Sequence, residues 1–200
     1  MSDALLFAAF LGLFLCAVCK AYYDSESYRL TCVISDVNGK TYCVRDRAHV
    51  QQAADMFARV ADKCTTFVSQ LAAKFPQNPD VQRLAQKYNP NVLVETLPTS
   101  EFTAFSEDKG RKVALCINRD DKSDAGNDRI AKFNTVMFVA IHELAHIMTV
   151  AEGHPSVFWK NFRFLLAQAH QMNIMHMVDY KNNPEPYCGM TLSDNPFYDM

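Results

Sequence analysis

Apolar and polar positions follow two different periods along the chain. In four stretches apolar side chains recur every three to four residues, which predicts helices over 47–74, 79–88, 133–150 and 155–173. Pro79 and Pro155 open two of these helices, at positions where a backbone N–H has no partner in any case. The stretch 133–150 is apolar on nearly every side, so we expect it to be the central, buried helix.

Short runs of β-branched and aromatic residues predict two β-hairpins. The first pairs 28–35 with 40–45 around Asp-Val-Asn-Gly, and the second pairs 102–106 with 112–117 around Glu-Asp-Lys-Gly. The sequence therefore predicts an α+β fold, with a small antiparallel sheet packed on the apolar helix.

Two polar stretches complete the pattern. Residues 118–129 are almost wholly charged or small, which predicts a solvated loop. The tail 179–200 contains two Asn-Pro pairs and several aromatic residues, so we expect an ordered, extended C-terminal arm. Tyr187, Phe197 and Tyr198 are its predicted anchoring side chains.

The N-terminal stretch predicts a membrane anchor. Residues 4–19 carry no charge, and with the residues up to 22 they approach the roughly 20 that cross a bilayer. A signal peptide and a buried core helix are the alternatives, but no basic residue precedes the apolar run as a signal peptide requires. We predict an anchor in 1–23, inserted through 4–22, and one further domain in 24–200. Because Lys20 and Arg29 follow the span, the positive-inside rule favours a single-pass protein with a cytosolic C-terminal domain.

Composition narrows the choice of partners. The chain has 200 residues and a net charge of −2, which excludes binding of nucleic acid by a generally basic surface, and no nucleic-acid partner is predicted. Its seven cysteines include no closely spaced pairs outside the apolar run. We therefore expect no disulfide framework, although Cys32 and Cys43 lie on facing strands of the first hairpin.

The candidate chemistry lies in the apolar helix, where residues 142–146 read HELAH. His142 and His146 are four positions apart, so they share a helix face and can bind one zinc ion. Glu143 lies about 100° further round the helix and can reach a metal-bound water without being a ligand. The alternative is a pair of satisfied core histidines beside a surface glutamate. Burying these groups among apolar flanks is costly unless they are paired or metallated, which favours zinc.

A catalytic zinc site needs a third protein ligand. His154 is the strongest candidate, because Gly153 before it can turn the chain back and Pro155 after it begins the next helix. Glu152 is second, and His170, His176, Asp179 and Glu185 are further candidates. We interpret His49, on the long helix, as a surface residue.

The sequence HELAH, followed by Gly153-His154 and Phe158-Trp159, resembles the WLM and SprT-like group of zinc metallopeptidases. Segments 42–46, 97–110, 187–190 and 194–196 are also similar to membrane-anchored members encoded by large DNA viruses. The resemblance implies a minimal zincin-like domain with zinc held by His142, His146 and His154. Glu143 would be the catalytic base. Seven residues separate His146 from His154, a spacing that differs from both groups.

The implied activity is endopeptidase cleavage of a protein or peptide by a Glu-activated, zinc-bound water, at a host or virion membrane. A non-catalytic membrane-tethered zinc module and a zinc hydrolase with a non-peptide substrate are the alternatives. A second donor to the oxyanion is expected among Tyr180, Tyr187, His170 and His176. We also expect the substrate to add as a β-strand along 103–106 or 112–117, with Thr99, Ser100 and Glu101 nearby.

Overall fold

Helices form most of the framework of the molecule. The computed structural model describes residues 3–23, 30–120 and 129–199. The helices are α1 (Asp3–Tyr23), α2 (Val50–Lys74), α3 (Pro79–Lys87), α4 (Phe133–Met148) and α5 (Ser156–Gln171). The four helices predicted after the N-terminal stretch are thus confirmed, with ends that differ by up to three residues.

Among the described residues, seven short strands accompany the helices. They are β1 (Leu30–Ile34), β2 (Thr41–Arg45), β3 (Leu93–Glu95), β4 (Ala104–Glu107), β5 (Lys112–Leu115), β6 (Glu185–Tyr187) and β7 (Met190–Leu192). Both predicted hairpins are present, as the antiparallel pairs β1–β2 and β4–β5. Short 3₁₀ turns cover Pro90–Val92 and Pro196–Asp199.

The sheet beside the central helix differs from the expected antiparallel one. Its strand order is β3-β5-β4, and β3 pairs parallel to β5. The expectation was wrong because β3 has only three residues, too few to show an alternating pattern. The central strand β5 is paired on both sides, while β4 lies at an edge of this sheet.

The core forms where α2, α4 and α5 meet the sheet. Helix α4 is buried along most of its length, including Val136, Met137 and Ile141. From α2, Phe57 and Phe67 are fully buried. The apolar periodicity of the long helix therefore marked the face that packs on α4.

The C-terminal arm is folded, which corrects the expectation of an extended segment. Residues 185–192 form the hairpin β6–β7, and a 3₁₀ turn follows. Tyr187 is buried and Phe197 packs against the core, as predicted, but Tyr198 is 47% exposed and does not anchor the arm. The turn of the hairpin requires positive φ at Cys188 and Gly189, which no periodicity argument detects.

Two disulfides tie the domain together, so the expectation of no disulfide framework was wrong. Cys32–Cys43 joins the facing strands of the first hairpin, and Cys116–Cys188 joins the end of β5 to the turn between β6 and β7. The second bond links residues 72 positions apart, a pairing that spacing alone does not indicate. Cys64 is buried and unpaired by disulfide, and Cys16 and Cys19 lie on α1.

Helix α1 is solvent-exposed from Leu5 to Tyr22. That segment is long and apolar enough to cross a membrane, by length and composition. Because none of this segment is buried, the core-helix interpretation is wrong. The predicted loop 118–129 is described only at its two ends, and 121–128 lie outside the described residues.

Candidate metal centre

Helix α4 places two histidines on one face, as the HELAH spacing predicts. His142 and His146 are separated by about one turn, and their Nε2 atoms lie 3.2 Å apart. Both side chains are half-buried between α4 and α5. The helix ends two residues later, and Thr149 takes an extended conformation.

A short return loop brings His154 back over this face. Gly153 has φ +68, the left-handed conformation that was expected to turn the chain. The Nε2 atom of His154 then lies 3.1 Å from Nε2 of His142. The three predicted ligands therefore converge, with their ligand atoms all within 4.8 Å of one another.

Hydrogen bonds from neighbouring elements hold the return loop. Arg83 of α3 donates to the carbonyl oxygen of Met148 at 2.7 Å, where α4 ends. Asn161 of α5 donates to Thr149 Oγ1 at 3.0 Å. Lys109, in the β4–β5 turn, donates to the carbonyl oxygen of Ala151 at 2.9 Å.

The β4–β5 turn can reach this loop because Gly110 approaches α4 closely. Gly110 has φ +110, and an added Cβ would lie 2.8 Å from the carbonyl oxygen of Lys87. It would also lie 3.4 Å from the side chain of Ile147 on α4. Only glycine meets both the conformational and the steric requirement here.

The distances from His142 to the other two histidines fit zinc. Zinc–nitrogen bonds of about 2.0–2.1 Å in tetrahedral geometry require nitrogens about 3.3 Å apart. Both measured Nε2 separations are within a few tenths of an ångström of that value. Burial lowers the pKa of His142 to about 3 and that of His146 to about 4, so both rings are neutral at pH 7 and offer a lone pair.

An aromatic floor lies beneath the three imidazoles. The ring of Phe158 on α5 is buried, and its centroid lies 4.4 to 4.9 Å from those of the three histidines. Trp159 packs against His154 from the solvent side, at 5.7 Å. The aromatic pair noted in the sequence thus fixes the orientation of the cluster by packing.

Glu143 follows His142 on the helix and faces a cavity that His142 also lines. Its side chain is buried, and Oε2 has no hydrogen-bond partner among the described residues. Burial raises the pKa of its carboxyl to about 8. An unpaired, buried carboxyl beside three converging imidazoles is expensive for folding, and such groups mark functional sites.

The other candidate third ligands have different partners. Glu152 is largely exposed and pairs with Lys109 at 3.2 Å. His170 packs on Phe197, the amide N–H of His176 donates to Asn134, Asp179 accepts hydrogen bonds from residues 181 and 182, and Glu185 pairs with Lys132. His49 is exposed just before α2, as predicted.

None of the four predicted oxyanion donors is placed beside the three histidines with an N–H or O–H available to donate. Tyr187 lies beside Glu143, but its hydroxyl donates to the carbonyl oxygen of Cys116 at 2.6 Å. Tyr180 packs on Phe138 and borders another cavity, next to Thr135. His170 and His176 lie in the contacts given above. The second oxyanion donor therefore stays unassigned.

Sequence reasoning missed several residues that shape the site. Met190 and Leu192 of the β6–β7 hairpin border the cavity that Glu143 faces, and Cys116–Cys188 fixes that hairpin. Lys109 holds the return loop from a turn more than 30 residues away. These contacts are long-range, and neither spacing nor periodicity reports them.

Comparison with known proteins gives relatives in large DNA viruses. The chain is 29% identical over 167 residues to the uncharacterized protein R325 of Acanthamoeba polyphaga mimivirus, covering 82% of each chain. It is 30% identical over 91 residues to the uncharacterized protein 136R of Invertebrate iridescent virus 6, covering 46% of this chain and 49% of that protein. No family model matches the chain.

Solved structures with some likeness to this chain include those of Wss1. Wss1 from Saccharomyces cerevisiae is 18% identical with a TM-score of 0.45, covering 65% of this chain and 89% of that chain. A mutant of Wss1 from S. pombe is 22% identical with a TM-score of 0.41, covering 63% of this chain and 92% of that chain. These likenesses are too loose to assign a function.

Proposed function

We propose that this chain is a zinc-dependent endopeptidase of the WLM/SprT-like type. The observation that supports the proposal is the convergence of three histidine Nε2 atoms beside the unpaired carboxyl of Glu143. A purely structural zinc site has four protein ligands and no use for a buried base. His142, His146 and His154 would hold the metal.

Bound zinc would supply Lewis-acid polarisation and lower the pKa of a water molecule. Glu143 accepts a proton from the attacking water and returns it to the leaving amine. Burial raises the pKa of this carboxyl, which favours the protonated form that gives a proton to the leaving amine. The positive charge of bound zinc would favour the ionised form that accepts a proton from water. The hydrogen bonds to Met148, Thr149 and Ala151 keep His154 in place during this cycle.

The substrate would lie extended along β4. Thr103 and Ala104 border the cavity that Glu143 faces, and β4 is an edge strand of its sheet. Backbone hydrogen bonds to such an edge fix the direction of a peptide without reading its sequence. The alternative segment, β5, is paired on both sides and has no edge to offer.

Two single substitutions test the proposal. Glu143→Gln keeps all three histidines, so zinc should stay bound while cleavage of unfolded casein falls by about 10²–10⁴-fold. His154→Ala removes a ligand, and zinc affinity should fall by at least the roughly 10- to 100-fold that loss of a supporting residue costs. Metal content by atomic absorption and casein cleavage are measured on the same preparations.

His170→Ala is the matched control for His154→Ala, since that imidazole packs on Phe197 away from the cluster. A His154 variant that keeps zinc as tightly as the parent would contradict the ligand assignment. Full activity in Glu143→Gln would contradict the mechanism. Zinc binding by a parent protein that leaves casein intact would favour the non-catalytic module or the non-peptide hydrolase.

We also propose that α1 anchors the domain at a membrane, with the domain outside the cytosol. The exposed, apolar segment Leu5–Tyr22 supports the anchor. Two disulfides favour an oxidising compartment, whereas only Lys20 and Arg29 favour the cytosolic side.

The full chain should resist carbonate extraction, and maleimide should label four cysteines fewer before reduction than after it. Recovery in the soluble fraction would contradict the anchor, and equal labelling would contradict the orientation.

A further inference from the structure

A cavity of about 150 Å³ opens beside Glu143 and His142. Three elements that are distant in sequence enclose it. Phe138 and Val139 come from α4, Ala104 from the edge strand β4, and Met190 and Leu192 from the β6–β7 hairpin. The catalytic carboxyl and the first histidine lie at its polar end.

The walls of the cavity present almost only apolar atoms. Tyr187 lines the cavity, and its hydroxyl donates to the Cys116 carbonyl oxygen. Thr103, a further polar residue at the wall besides His142 and Glu143, donates its hydroxyl to the sulfur of Met190 at 3.7 Å. An acidic side chain inside this cavity would lose its hydration, and the carboxyl of Glu143 at its polar end would not compensate that loss.

The volume matches one apolar side chain. An apolar cavity of about 150 Å³ is large enough for a benzene molecule. The hairpin wall is held in place by Cys116–Cys188, by the Thr103–Met190 contact and by the ion pair of Lys132 with Glu185 at 2.7 Å. The cavity therefore has a defined size, which selection by size requires.

We propose that this cavity binds the side chain of the substrate residue next to the scissile bond, and that it selects phenylalanine, leucine or methionine. The proposal rests on the proposed peptidase function and adds a substrate class to it. A peptide running along β4 passes the mouth of the cavity, because Ala104 of that strand forms part of the wall. Backbone pairing and side-chain selection then act on the same bound segment.

The test uses the zinc-loaded full chain in detergent micelles and a randomised peptide library, with cleavage sites identified by mass spectrometry. We expect phenylalanine, leucine or methionine at one position beside the cleaved bond. Matched peptides with aspartate there should have kcat/KM at least about tenfold lower. A flat profile, or a preference for charged residues at both flanking positions, would overturn the proposal and leave the peptidase function standing.

Two variants change the cavity in opposite directions. Ala104→Leu fills it and should move the preference towards alanine and glycine. Met190→Ala widens it from the exposed side of the hairpin and should admit tryptophan. Val37→Ala, in the β1–β2 turn, is the control and should leave the profile unchanged. An unchanged profile in both cavity variants would also overturn the proposal.

A binding measurement separates failure of this proposal from failure of the peptidase function. N-acetyl-phenylalaninamide should bind the Glu143→Gln chain at least about tenfold more tightly than N-acetyl-aspartamide, measured by methyl NMR shifts. The Ala104→Leu substitution should remove that difference. If no peptide is cleaved but this selectivity is seen, the cavity assignment stands and the peptidase function fails. Equal binding of the two probes overturns the cavity assignment.

Discussion

Two buried polar clusters lie in the same domain and treat their carboxylates differently. The arginine cluster consists of Arg45, Arg47 and Glu95, and the side chains of all three are at most 2% exposed. Glu95 pairs with Arg47 and accepts a hydrogen bond from the backbone N–H of Arg45 at 2.8 Å. The histidine cluster consists of His142, His146 and His154, with Glu143 beside them. There, by contrast, Oε2 of Glu143 has no hydrogen-bond partner among the described residues.

Burial raises the pKa of both carboxyls, but only the one of Glu95 has positive charges beside it that oppose this effect. Burial raises the pKa of Glu95, while the nearby arginines Arg47 and Arg45 lower it. For Glu143, burial is the cause of the raised pKa, and no charged group among the described residues is a further cause. The comparison teaches that burial alone does not identify a functional carboxylate; burial without a partner does.

Asn118 connects the two regions. Its side-chain oxygen accepts a hydrogen bond from Arg47 at 2.8 Å, and its backbone oxygen accepts one from the N–H of Cys188 at 3.1 Å. Cys188 belongs to the hairpin that walls the cavity of Glu143. Through Asn118, the arginine cluster thus supports the β6–β7 hairpin, which forms one wall of the proposed substrate pocket.

Replacing each carboxylate by its amide should separate the clusters most clearly. Glu95→Gln removes the carboxylate that pairs with two buried arginines and should lower the free energy of unfolding by about 3–5 kcal/mol. Glu143→Gln removes an uncompensated carboxyl and should leave stability equal or higher. Urea unfolding of the two variants measures the difference. Equal destabilisation by both would mean that Glu143 is paired in solution.

The two disulfides provide the next test. In the chain-entropy estimate, a bond closing a loop of about 70 residues stabilises by about 4 kcal/mol, and one closing about 10 residues by about 3 kcal/mol. Cys188→Ser should therefore cost more stability than Cys43→Ser, and it should also loosen the pocket wall. Thermal unfolding together with the cleavage profile checks both effects. A smaller loss for Cys188→Ser than for Cys43→Ser would show that the hairpin is held by its other contacts.

The smallest effect is expected at the return loop. Lys109→Ala removes the hydrogen bond to the carbonyl of Ala151, so zinc affinity should fall by less than about tenfold, with little change in Tm. Glu152→Ala is the matched control, because it removes only the exposed ion pair with the same lysine. Zinc affinity measured by competition with a chelator distinguishes them. Equal losses in both variants would mean that the ion pair, and not the hydrogen bond, orders the loop.

The parts of the fold that local patterns encode were predictable, and those that long-range pairing encodes were not. Helical spacing placed His142, Glu143 and His146 correctly, and the Gly-His-Pro corner indicated how His154 returns to them. The parallel strand β3 was missed because three residues carry no period. The pairing of Cys116 with Cys188 depends on where the arm folds back, which no residue near either cysteine reveals. The position of Met190 and Leu192 at the pocket could not be predicted either, since the sequence of their hairpin resembles a turn-rich tail.

The bond between Cys116 and Cys188 would hold the two fragments together if the chain were cleaved between these cysteines. It closes a covalent ring that contains the whole of α4, the return loop and α5, and therefore all three histidines. A peptide bond cut anywhere between 117 and 187, by another enzyme or by a second copy of this one, leaves a chain that still migrates as one piece until it is reduced. Self-cleavage inside the ring would thus be visible only on a reducing gel, and a nicked molecule would keep its metal ligands on one covalent body.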